Sequence, residues 1–218
     1  MRDAWRGALL GLAALAVLGA LASRAGWLVF DLPRPAGTGP WLVARASGFA
    51  ALAALGMEVV LGLLLATRLT DRWLARGDAV ALHGWLSPIA VALIAGHAAV
   101  LLADRFVRFD VLDVTLPFVA PVRAGALAVG ILAGYAALVV HVSFALRRRL
   151  GAATWRRLHG LSFAAFAGAL LHAALAGTDV GRPWAIALLA AITAPVLALG
   201  LRRATAARTA PSSRAPGP

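Results

Sequence analysis

Six apolar stretches divide the chain, at about residues 7–23, 46–67, 79–102, 124–146, 158–177 and 183–201, and short charged segments separate them. Each is close to the roughly 20 residues that an α-helix needs to cross ~30 Å of hydrocarbon. Each is too long for a barrel strand, and none alternates with period two, so the pattern predicts helices. The expected fold is all-α, a polytopic bundle of six transmembrane helices over residues 1–203. The segment 204–218 is rich in Ala, Thr, Ser, Pro and Arg and is expected to be a disordered cytoplasmic tail. The first run has a second reading. Arg2 and Arg6, an apolar core and Ala20-Leu21-Ala22 also resemble a secretory signal with a small-residue cleavage site. Its long apolar core, extended by Trp27 to Phe30, favours a retained span. Trp5, Trp27, Trp41, Trp73, Trp155 and Trp184 fall near run ends, as an interfacial aromatic belt requires. Ala126, Gly130 and Gly134 form a small-residue row on the fourth run, which predicts close approach of another helix.

Composition makes the membrane reading stronger. Hydrophobic residues make up 61% of the chain and the mean hydropathy is +0.84, against about 45–50% apolar residues in soluble domains. There are no cysteines, which excludes disulfides, cysteine-ligated iron–sulfur clusters and covalent haem attachment through C-x-x-C-H. The 21 basic residues are all arginine and the net charge is +12. These arginines sit in the short loops between apolar runs, so membrane topology accounts for them better than nucleic acid does. With the N-terminus inside, 14 arginines fall in cytoplasmic segments and 7 in outer ones. That bias predicts cytoplasmic termini in what is expected to be a bacterial cytoplasmic membrane.

The candidate chemistry lies in four histidines. The third run carries His83 and His97 in HGWLSPIAVALIAGH. The fifth carries His159 and His172 in TWRRLHGLSFAAFAGALLH. Any one of them alone reads equally well as a hydrogen-bonded packing residue. Ionisable groups inside a membrane are expensive and usually functional, and four at matched depths point to a ligand set. The third and fifth runs cross in the same direction, so His83 is expected to face His159, and His97 to face His172. At 1.5 Å rise per residue the two levels lie ~20 Å apart, room for two stacked porphyrins. Neutral imidazole suits haem iron, with the second ring nitrogen donating to a carbonyl or side chain. The spacings are not equivalent. His83 and His97 are 14 apart and return to one helix face, whereas His159 and His172 are 13 apart and diverge by roughly 140° on a straight helix. A kink or a local 3₁₀ or π turn would absorb this difference.

These motifs, with the leader RRRLG...WRRLH, resemble the ferric reductase-like transmembrane domain family over about residues 45–177. That family includes NADPH oxidases, iron reductases and the haem-binding membrane subunit of the bacterial methionine-sulfoxide reductase system. The segment FDVLDVTLPFVAPVRAG also resembles the family's loop into its fourth helix. The resemblance implies a membrane cytochrome b with two b-type haems between the third and fifth helices. Their axial ligands to iron would be His83 with His159 and His97 with His172, and electrons would pass from the cytoplasmic to the outer face. The oxidases and many iron reductases continue into a flavin and nicotinamide domain that has no counterpart here. A separate donor, a flavoprotein reductase or a quinol, is therefore expected, with flavin only on that partner. The outer acceptor would be ferric iron, dioxygen or a redox protein. A second reading is a haem-binding anchor and electron donor for one extracytoplasmic oxidoreductase. The methionine-sulfoxide subunit commonly lacks a histidine matching His83, which weighs against that particular assignment. A third reading is a haem-binding or sensing protein without electron throughput.

Other polar residues have less specific readings. Arg45, Arg123 and His141 are candidate haem-propionate contacts, with ordinary interfacial roles as the alternative. Arg156 and Arg157 read first as topology determinants and second as partners for inner propionates. Glu58, deep in the second run, is expected to be protonated, paired or near water, with structural pairing favoured over a proton or redox role. Tyr135, Phe163 and Phe166 read as packing groups. The sequence contains no Ser–His–Asp arrangement, no H-E-x-x-H and no Walker loop.

Overall fold

A computed structural model describes residues 39–104 and 106–209, with side chains through 205. The first apolar run and residues 210–218 lie outside the described residues. In chain order the elements are α1 (Gly39–Ala66), a 3₁₀ turn (Thr70–Arg72), α2 (Arg76–Leu101), α3 (Val111–Thr115), α4 (Ala124–Ala145), α5 (Arg147–His159), α6 (Leu161–Ala176) and α7 (Pro183–Thr209). No strand occurs among the described residues. Five helical stretches are long and apolar enough to cross a membrane: α1, α2, α4, α5 with α6, and α7. They correspond to the second through sixth apolar runs.

Two helix ends differ from the sequence expectation. α1 begins at Gly39 rather than near residue 46, and carries Trp41 and Arg45 inside the helix. Arg45 reads as a boundary in the sequence, but its charge is matched by Asp179 from the α6–α7 loop. α7 continues to Thr209, through the first residues of the segment expected to be disordered. Ala and Arg are strong helix formers, so RRATAAR can extend the helix beyond the apolar run.

The helices assemble as two tight pairs, α1 with α2 and α4 with α6. α7 lies on α1, α1 also touches α6, and α2 touches α4. α2 carries His83 and His97, α5 ends at His159 and α6 carries His172; α2 and α6 are not a packed pair. The common core is centred on Leu52, Leu55, Val59 and Leu63 of α1, with Phe166 of α6 and Val196 of α7. Large apolar side chains elsewhere face outward, among them Trp85, Ile89, Leu171 and Leu197, as expected for surfaces that meet lipid rather than water. The small-residue row on α4 does allow close approach. A Cβ on Gly134 would lie 3.3 Å from Ile94, and one on Gly168 of α6 would lie 3.0 Å from the Ala133 Cβ.

Gly56 is the tightest point between α1 and α7. A Cβ there would lie 2.2 Å from Ile192 Cγ2 and 3.3 Å from the Phe166 ring. Overpacking of this kind costs roughly 1–3 kcal/mol, partly offset by the ~1 kcal/mol gain in helix propensity from Gly to Ala. Gly56→Ala is therefore expected to lower the thermal midpoint in detergent, and adding Ile192→Ala to recover part of the loss. Equal stability of Gly56→Ala and wild type would show that this contact is not close-packed.

Candidate functional site

The histidines are brought together across the space between the two helix pairs. His83 of α2 faces His159 at the end of α5, with ring centroids 6.0 Å apart and ring planes at 79°. His97 of α2 faces His172 of α6 at 6.2 Å and 75°. These are the pairings the helix directions require.

Part of the offset in the 13-residue spacing has a physical explanation. The fifth apolar run is not one straight helix, because α5 ends at His159 and α6 begins at Leu161. Gly160 lies between them, and Phe163 N–H reaches back three residues to the Gly160 carbonyl at 3.3 Å. This 3₁₀-type turn winds more tightly than an α-turn, so the azimuth of His159 is not set by α6. A second interruption lies at Gly151, whose φ of 75° and ψ of 157° suit glycine. It turns the arginine-rich Arg147–Leu150 segment away from the helix that delivers His159.

The rings of His97 and His172 are each held by a carbonyl from a neighbouring helix. His97 Nδ1 lies 2.8 Å from the Ala44 carbonyl of α1, and His172 Nδ1 lies 2.8 Å from the Ala126 carbonyl of α4. A carbonyl oxygen only accepts, so these contacts assign the proton to Nδ1 and leave Nε2 of the neutral ring bare. The His83–His159 pair is held differently. His83 lies beside the Glu58 backbone carbonyl, but the geometry falls short of a hydrogen bond and its buried Nδ1 has no partner. His159 is stacked on Trp155, with centroids 5.2 Å apart and planes at 27°.

The remaining expected site residues have partners within the protein. Arg45 pairs with Asp179 and lies over the Trp41 ring, 4.2 Å from its centroid. Arg123 donates to the Leu175 and Ala176 carbonyls at 3.3 and 3.1 Å, capping the α6 end that follows His172. His141 Nδ1 and the Ser87 hydroxyl are 3.1 Å apart, and Ser87 also lies beside the Glu58 carboxyl. Glu58 thus belongs to a polar link across α1, α2 and α4. Phe166 is buried in the core whereas Phe163 and Tyr135 are exposed, and the Tyr135 hydroxyl donates to the Thr115 carbonyl at 2.6 Å. That bond ties α3 to α4. α3 itself is fixed by a reciprocal capping box between Asp110 and Asp113. Burial raises the Asp113 carboxyl above its ordinary value, with the Asp110 backbone N–H acting against the rise.

Two imidazoles binding one metal ion from opposite sides at about 2.0–2.1 Å per nitrogen, with each ring centre roughly 1.1 Å behind, have centroids about 6.2–6.4 Å apart. Both pairs lie close to that separation. Among the described residues no group of three or more His, Asp or Glu could hold a metal ion. A pair of imidazoles suits an iron whose other positions are filled by a macrocycle. α2 packs on α1 and α6 on α4, so the imidazoles meet across the two pairs rather than within one. The residues therefore fit haem. No family model, curated protein or solved structure matches the chain.

Proposed function

We propose that the chain is a membrane cytochrome b of the ferric-reductase-like kind, holding two haems and moving single electrons across the bilayer. The observation that carries this reading is the pair of imidazole couples at 6.0 and 6.2 Å, set about 20 Å apart along α2 by the helical rise. Bound haem iron supplies the one-electron chemistry by cycling between its ferric and ferrous states.

The protein's own residues have separable tasks in this proposal. His83 and His159 hold one group near the arginine-rich side, and His97 and His172 hold the other near the opposite side. The Ala44 and Ala126 carbonyls keep Nε2 of His97 and His172 available for coordination. Apolar residues from both helix pairs exclude water and set a low dielectric around the groups. The arginine bias supports a cytoplasmic position for the His83–His159 side. The electron donor is then a cytoplasmic flavoprotein or a quinol, and the acceptor lies outside.

The test is electron transfer in sealed vesicles containing purified, haem-loaded protein, an enclosed reductant and a membrane-impermeant ferric acceptor outside. The acceptor is expected to be reduced with wild type and not with His97→Ala. Haem-loaded wild type that passes no electrons would support a haem-binding or sensing protein instead.

A further inference from the structure

The geometry points to Gly48 and Gly130 as positioning residues, each uncovering a helix carbonyl so that a histidine ring can bond to it and present Nε2. The consequence for bound haem rests on the proposed function, but the tautomer assignment does not.

In an α-helix the Cα–Cβ bond tilts toward the N-terminus, so the side chain at i+4 leans over the carbonyl of residue i. Ala44 and Gly48 on α1 stand in this relation, as do Ala126 and Gly130 on α4. In both cases the carbonyl takes a histidine Nδ1 at 2.8 Å and the glycine lies under the same ring. A Cβ on Gly48 would meet His97 Cε1 at 3.0 Å and Nδ1 at 3.1 Å. On Gly130 it would meet His172 Nδ1 at 2.6 Å and Cε1 at 2.8 Å. The same device thus occurs on two different helix pairs and serves both members of one histidine couple.

Glu58 and Gly62 provide an internal contrast. They have the same spacing on α1, and a Cβ on Gly62 would meet His83 Cε1 at 3.4 Å, an ordinary contact. Where the ring stands further off, its Nδ1 makes no hydrogen bond. Close seating and the Nδ1–H bond therefore occur together. His97 and His172 are fixed in tautomer and orientation before any ligand arrives, whereas His83 is not. A metal-ligating histidine is commonly oriented by a partner on its other nitrogen, and here a missing side chain makes that partner reachable.

The experiment compares full-length wild type with Gly48→Ala, Gly130→Ala and Gly62→Ala in nanodiscs, using two readouts. The first is ring ¹⁵N NMR of the haem-free protein. His97 and His172 are expected as Nδ1–H tautomers in wild type. In Gly130→Ala, His172 should shift toward Nε2–H. His97 should shift less in Gly48→Ala, and Gly62→Ala should leave both unchanged. The second readout is the ferric EPR spectrum and midpoint potential of haem-loaded protein, where Gly48→Ala and Gly130→Ala should move one haem's signal and spare the other. Gly48→Ala has the milder overlap and keeps the test available if Gly130→Ala does not fold. Nε2–H tautomers in haem-free wild type would overturn the inference. So would folded Gly48→Ala protein with unchanged NMR and EPR signatures. Wild type that shows the expected tautomers but binds no haem would leave the seats in place and remove the cytochrome reading.

Discussion

His172→Ala protein is expected to carry one haem per chain where wild type is expected to carry two, and His97→Ala is expected to do the same. Each histidine is one half of a couple, 6.2 Å from the other. No other His lies at that level, since His83 and His159 form the second couple and His141 is bonded to Ser87. Loss of either ring leaves an iron at that level with one protein ligand. The double variant should then be no worse than either single variant, because residues that act as one unit are not additive. The haem retained by His172→Ala should keep the wild-type spectrum of the His83–His159 level, and His83→Ala should spare the other. Haem quantification with reduced-minus-oxidised spectra checks each statement. A His172→Ala protein that still holds two low-spin haems would contradict the assignment.

Arg45→Leu is expected to be strongly destabilising at the His97–His172 end. Arg45 and Asp179 join α1 to the α6–α7 loop, with side-chain exposures of 28% and 9% respectively. Leucine would leave Asp179 nearly buried without its counter-charge. Breaking such a pair typically costs about 3–5 kcal/mol, and the partial exposure of the guanidinium puts this case near ~3 kcal/mol. The Trp41 ring under the guanidinium loses its contact as well. Arg45→Leu with Asp179→Leu should recover much of the loss, because it removes both charges together. Thermal unfolding of the two single variants and the double variant gives the coupling. A coupling near zero would show that the pair is screened and contributes little. Ala44, whose carbonyl takes His97, adjoins Arg45 in sequence, so Arg45→Leu should also weaken haem retention at that level.

Much of this molecule was legible in its sequence because lipid imposes a simple code. Apolar length sets the spans, and the helix directions pair His83 with His159 and His97 with His172. What was not legible depends on contacts distant in sequence or on local backbone geometry. The turn at Gly160 absorbs part of the divergence between His159 and His172, yet a glycine inside an apolar run gives no sign of whether the helix tightens there. Nothing local in the sequence marks Gly48 or Gly62, and Gly130 reads as one member of a packing row. Their place under histidine rings follows from how α1 meets α2 and how α4 meets α6. Arg45 marked a helix boundary only while Asp179, 134 positions away, was unknown as its partner. Glu58, Ser87 and His141 come from three helices, and no local motif joins them.

The central claim is that two imidazole couples each hold one haem. Haem quantification with an oxidised and reduced visible spectrum on purified wild-type protein tests it most directly. Two haems per chain are expected, both low-spin and b-type. Protein folded as an α-helical bundle that binds no haem, or takes up only one with all four histidines intact, would contradict it.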